Sequence, residues 1–123
     1  MRLLPLITSL ALLCPLLATA ADDPANGARV FDNKCARCHS MDPAKDKKGP
    51  HLTGVVGRAA GSVAGYKYSD AMAAAKFEWT PERLAAFIDG PRSNVPGTKM
   101  WLLFAPGAQD SADLIAWLQQ QTR

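Results

Sequence analysis

The pentapeptide Cys35-Ala36-Arg37-Cys38-His39 constrains this chain more than any other stretch. Two cysteines three positions apart on a helical turn face the same side, and the C-x-x-C-H pattern is that of a c-type haem attachment. Each thiol can form a thioether with one haem vinyl group, and His39 then stands beneath the iron. Two other chemistries use a C-x-x-C pair. A zinc site needs four ligands, and beyond the pentapeptide the chain offers only Cys14 and His51 as further cysteine or histidine. A redox dithiol of the thioredoxin kind needs a βαβ pattern around it, and the flanking sequence carries none.

Residues 1–20 read as a secretory signal peptide. Arg2 is the charged start, Leu3 to Leu17 is almost wholly apolar, and Ala18-Thr19-Ala20 supplies a small-x-small cleavage site. Cleavage is expected before Ala21, leaving 21–123 as one domain. Pro5, Pro15 and an apolar span shorter than the roughly 20 residues of a spanning helix argue against stable membrane insertion. Cys14 leaves with this leader, so Cys35 and Cys38 remain. An oxidising compartment would pair them unless something captured them, and haem attachment is that capture. The leader and this chemistry point to a bacterial periplasm.

The formal charge of +3 falls by one when Arg2 is lost. No large basic field and no basic and aromatic stripe suggest nucleic acid. Lys45, Lys47, Lys48 and Lys99 read as a solvated face, or as a patch that raises the encounter rate with a partner. No Ser-His-Asp set, carboxylate pair or phosphate-binding glycine loop points to an enzyme; Gly54, Gly57, Gly61 and Gly65 do not form G-x-G-x-x-G.

Along the chain, Asp22-Asp23-Pro24 predicts a helix start, with Asp as N-cap and Pro in the first helical position. Gly27, Val30 and Phe31 share one face leading to Cys35, and Gly27 suggests a close crossing with another helix. From His39 to Lys67, turn formers dominate and no periodicity survives. A loop this long suits wrapping around a large apolar cofactor, which supplies the core that the loop cannot build. Ser69 predicts a short helix over Asp70 to Lys76. Thr80-Pro81-Glu82 predicts another, burying Leu84, Phe87 and Ile88 and stopping at Gly90-Pro91. A last helix is expected from near Asp110 through Leu114, Ile115, Trp117 and Leu118, with Asp110 and Asp113 at its positive end.

A haem held by one histidine needs a second axial ligand or an open position. Met41, Met72, Met100 and His51 are the candidates after the leader. Met41 is too close to His39 in sequence to reach the opposite haem face, Met72 falls in a short helix, and Met100 follows a Pro96-Gly97 turn.

From Gly27 to Leu118 the chain resembles a class I cytochrome c of the mitochondrial and bacterial long-loop type. The likeness rests on Cys35 to His39, Gly49-Pro50-His51-Leu52, Gly57-Arg58, Gly65-Tyr66-Lys67-Tyr68-Ser69-Asp70-Ala71, Trp79, Val95 to Met100 and Ala112 to Leu118. It implies an all-α fold with crossed N- and C-terminal helices around one covalent haem c, Gly27 and Phe31 lying against Leu114 and Trp117. It implies His39 and Met100 as axial ligands and the Pro50 carbonyl as acceptor for the His39 ring N–H. Arg58, Tyr68 and Trp79 match the residues that hold the haem propionates, and Thr98 matches the family's loop threonine.

Three departures stand out. Met72 replaces the family's usual asparagine and Phe87 its usual tyrosine, which implies a drier pocket beside the methionine sulfur. The run from Trp101 to Phe104 is more apolar than usual; Leu102, Leu103 and Phe104 read either as packing on the haem or as contact surface. The resemblance implies a soluble, monomeric electron carrier docking transiently on redox proteins at the haem edge, between a membrane or periplasmic donor and an oxidase, peroxidase or dehydrogenase. The alternatives are a dedicated haem subunit of one dehydrogenase and, should Met100 dissociate, a ligand-binding or peroxidase-like protein.

Overall fold

Asp23 caps the first helix as its sequence predicts: its carboxylate accepts from the Asn26 N–H at 3.1 Å, and Pro24 opens α1 (Pro24–Val30). The computed structural model describes residues 21–122, so the predicted leader lies outside the described residues. Beyond α1 the helix widens into a π-helical segment, Phe31–Cys35, which delivers the first cysteine. Such widened turns are frequent at functional sites. Four further helices follow: α2 (Asp70–Ala73), α3 (Pro81–Asp89), α4 (Pro91–Asn94) and α5 (Ala108–Gln120). No strand forms among the described residues beyond one antiparallel bridge, Ala59 with Glu78. No described helix is long and apolar enough to cross a membrane.

The chain is organised by the crossing of α1 and α5, the largest interface between elements. Gly27 lies directly beneath α5, where an added Cβ would collide with the Asp113 carbonyl and the Trp117 Cβ. Phe31 and Trp117 pack as tilted rings 5.0 Å apart beside it. Leu114 is fully buried, and Val30, Ile115 and Leu118 complete this part of the core.

Three boundaries differ from the sequence expectation. The Ser69-capped helix ends at Ala73 rather than Lys76, because the chain must turn so that the Phe77 carbonyl can accept from the Ala60 N–H at 2.9 Å. A short α4 follows α3, started by Pro91; Asn94 Nδ2 donates to the Ala86 and Gly90 carbonyls, each at 2.8 Å, and so closes the end of α3. The last helix begins at Ala108, which puts Asp110 in its first turn but Asp113 one turn further in.

Asp113 instead ties the two crossed helices together. Its carboxylate accepts from the Asp23 N–H at 2.8 Å, Asn26 Nδ2 at 2.8 Å and Gln109 Nε2 at 2.9 Å. The Asp23 N–H, then the two amides, hold its carboxyl below the usual carboxylate range. A carboxyl depressed in the folded state contributes stability that is fully present above the unfolded value of about 4 and is lost as pH falls through the folded value. Asp113→Asn is therefore expected to lower the urea midpoint at neutral pH, with the difference from wild type shrinking below about pH 4. An equal difference at both pH values contradicts the assignment.

Candidate haem-binding site

The π-helical segment and the turn after it set the geometry of the pentapeptide. The Ala36 N–H donates to the Phe31 carbonyl at 2.9 Å, and the N–H groups of Cys38 and His39 both donate to the Cys35 carbonyl, at 3.0 and 2.9 Å. Cys35, Cys38 and His39 therefore lie on one turn, and both thiols are free and half-buried. Burial, with Cys38 close by, pushes the Cys35 thiol up to about 11. At Cys35 this is the reverse of the lowered value that a reactive, attacking thiol needs. No group of three or more His, Cys, Asp or Glu that could hold a metal occurs among the described residues, which disfavours zinc.

His39 is held from the side of the 47–50 turn. Its Nδ1 lies 2.8 Å from the Pro50 carbonyl oxygen. A carbonyl can only accept, so this bond fixes the proton on Nδ1 and leaves the Nε2 lone pair for a metal. Burial is the main cause lowering the His39 pKa, opposed by the Pro50 bond and assisted by Arg58 and Lys47. The neutral ring is the ligating form, and the bonded carbonyl is the orienting partner that ligating histidines usually have.

Gly49 is the site residue that motif reading left without a role. A Cβ there would run into the His39 imidazole, so only glycine lets this backbone lie against the ring. Its N–H also donates to the Cys38 carbonyl at 2.7 Å.

Paired backbone bonds bring Arg58 and Trp79 together: Gly57 N–H to the Trp79 carbonyl, and Trp79 N–H to the Arg58 carbonyl, both at 2.8 Å. Arg58 Nη1 donates to the carbonyls of His51 at 3.0 Å and Thr53 at 3.3 Å, while its buried Nε has no protein partner. Burial lowers its pKa, and Tyr68 and Asp46 partly offset this. A half-buried guanidinium with a buried, unsatisfied N–H fits an anionic group such as a carboxylate. Tyr68 accepts at its hydroxyl from the Val63 N–H at 2.9 Å and stacks edge-on against Tyr66. Trp79 is buried between Phe77 and Phe87, each with ring centroids 4.9 Å away.

Met100 sits beyond a tight turn, Val95-Pro96-Gly97-Thr98. Thr98 N–H donates to the Val95 carbonyl at 3.0 Å, and Gly97 has φ +95°, the left-handed conformation that this Pro-Gly turn requires. Buried Thr98 accepts at Oγ1 from the Met100 N–H at 3.3 Å, and Met100 packs half-buried on the core. Met72 and Phe87 are both buried in that core. The run after Met100 divides: Leu102 packs inward, while Trp101, Leu103 and Phe104 are exposed.

With His39 oriented for a metal and two unpaired thiols on the same turn, the protein is of the c-type haem class. Comparison with known proteins makes this specific. The family description "Cytochrome c" matches residues 24–122. The chain is 44% identical over 106 residues to the cytochrome c-type cyt cy of Rhodobacter capsulatus, covering 86% of this chain and about half (53%) of that protein. It is 42% identical over 97 residues to the cytochrome c2 of Rhodopila globiformis, covering 79% of this chain and 92% of that one. Its fold is similar to that of cytochrome cH from Methylobacterium extorquens, with a TM-score of 0.70, 36% identity, and coverage of 80% of this chain and 98% of that chain. The chain belongs to the cytochrome c family. It is an electron carrier rather than an enzyme, and holds haem c through Cys35 and Cys38.

Proposed function

We propose that this chain is a soluble, monomeric, single-haem carrier that moves one electron between a membrane or periplasmic donor and an oxidase, peroxidase or dehydrogenase. Residues 1–20 direct it to the periplasm and are removed. The observation that carries this reading is the 2.8 Å approach of His39 Nδ1 to the Pro50 carbonyl oxygen, which leaves Nε2 for the iron.

Bound haem c supplies one iron that alternates between two oxidation states. His39 Nε2 and Met100 Sδ would be the two protein groups that hold that iron, leaving no place on it for a substrate. A thioether ligand raises the potential relative to a second nitrogen ligand. Arg58, Tyr68 and Trp79 would hold the propionates, and the unpartnered Arg58 Nε would offer one of them a donor. Pro50 keeps His39 oriented through repeated redox cycles, and Thr98 steadies the backbone of Met100. Buried Trp79 and Phe87, with half-buried Phe77 against them, exclude water and so limit solvent rearrangement when the charge changes.

Carbon monoxide tests the closed site. The reduced holoprotein is expected to give a reversible one-electron voltammogram and an absorption spectrum unchanged by carbon monoxide at neutral pH. Rapid carbon monoxide binding, with a five-coordinate spectrum beforehand, would instead make this a ligand-binding or peroxidase-like protein.

A further inference from the structure

A groove of about 540 Å³ runs between α3 and α5, and none of the residues proposed to contact haem lines it. Its size is that of a small-molecule site. Buried Ser111 and Ile115 form the floor, and half-buried Ala85 and Ala112 form the walls. Side chains as small as alanine on the two facing helices leave the space between them open. Exposed Asp22, Glu82 and Asp89 line the rim, and among the described residues no Lys, Arg or His does. Glu82 and Asp89 stand seven residues apart on α3, hence on one face and about 10 Å apart along the axis. Ser111 Oγ is buried without a protein partner, although buried hydroxyls are normally hydrogen-bonded.

We propose that this groove binds a linear aliphatic polyamine, a run of methylene groups with an ammonium at each end and a secondary ammonium between them. The end groups pair with Glu82 and Asp89, whose separation suits an extended chain of spermidine length. Ala85, Ala112 and Ile115 cover the methylenes, and the inner ammonium donates to Ser111 Oγ. A compact divalent cation would meet only one end of the groove, and no group of three or more His, Cys, Asp or Glu that could hold a metal occurs among the described residues. The whole chain carries a formal charge of +3, so its general field repels cations. Attraction is therefore local to these carboxylates. Asp22 precedes the cap of α1, so a ligand in the groove touches the start of α1 as well as α3 and α5 and stabilises their packing by mass action.

Isothermal titration calorimetry of the mature holoprotein with spermidine, at low ionic strength, is the test. One spermidine is expected to bind per chain, with a dissociation constant below about 1 mM. Glu82→Gln and Asp89→Asn should each weaken binding up to about fivefold, as loss of an exposed ion pair does. For the same reason 1,4-diaminobutane, too short to reach both carboxylates, should bind the wild type up to about fivefold more weakly than spermidine. Ala112→Leu fills the groove without changing its charge and should abolish binding, with circular dichroism confirming that the variant is folded. Asp32→Asn removes an exposed carboxylate outside the groove and should change nothing. No saturable heat, equal weakening by Asp32→Asn, or full competition by an equal concentration of magnesium ion overturns the proposal. So does tighter binding of oligolysine that Glu82→Gln and Asp89→Asn weaken, which makes the groove a protein-docking site. A dimer in sedimentation velocity that Ala112→Leu dissociates also overturns it, since a second copy of the chain is then the occupant.

Discussion

Gly27→Ala is expected to destabilise the holoprotein, although alanine is the better helix former. Within α1 the exchange should favour folding by about 1 kcal/mol on propensity alone. At this position the new methyl group meets the Asp113 carbonyl and the Trp117 Cβ, so α1 and α5 must separate. Overpacking of a tight contact costs about 1–3 kcal/mol, which outweighs the propensity gain. Separation also stretches the Asp23 and Asn26 bonds to Asp113 and disturbs the Phe31–Trp117 pair. The net loss should reach about 2 kcal/mol for alanine, and about 3 kcal/mol or more for Gly27→Val. Urea unfolding followed by circular dichroism checks both. Alanine more stable than wild type would show that the crossing is looser than described.

The second large effect is expected at Gly49. Gly49→Ala keeps an ordinary backbone conformation but places its methyl group in the His39 ring. The ring must tilt, and its bond to the Pro50 carbonyl lengthens or breaks. Loss of an orienting partner of a metal ligand typically costs about 10–100-fold in affinity or activity. The substitution should shift the reduction potential and weaken axial ligation while changing overall helix content little. Gly107→Ala is the control, since a methyl group there meets no atom within 4 Å. Equal behaviour of the two variants in voltammetry contradicts a steric role for Gly49.

What the sequence revealed was local chemistry. The Asp23-Pro24 and Thr80-Pro81 starts form where their caps put them, with Thr80 Oγ1 accepting from the Arg83 N–H at 3.2 Å. The apolar spacing of Leu114, Ile115 and Leu118 gave the buried face of α5. Gly27 suggested a crossing because no local reason for glycine exists inside α1. The missing parts depend on contacts distant in sequence. Asp113 looks like one more acidic residue near a helix start; only the crossing shows it gathering donors from α1. Gly49 passes for a turn glycine until the His39 ring is seen against it. Nothing in Arg58-Ala59-Ala60 or Phe77-Glu78-Trp79 signals strand pairing, yet the bonds between them place Arg58 beside Trp79. The loop from Trp101 to Phe104 is uniformly apolar in sequence, so its split into one side chain packed on the core and three exposed ones is a property of the fold.

The central claim is that protein closes both axial positions of the haem, through His39 and Met100. Its most direct test is the absorption spectrum of the oxidised holoprotein at neutral pH, in the far-red region where methionine sulfur bonded to ferric haem gives a weak charge-transfer band. The band is expected in the wild type and is expected to vanish in Met100→Ala while thioether attachment at Cys35 and Cys38 persists. A wild-type spectrum without the band and with high-spin character, or a band that survives Met100→Ala, contradicts the account.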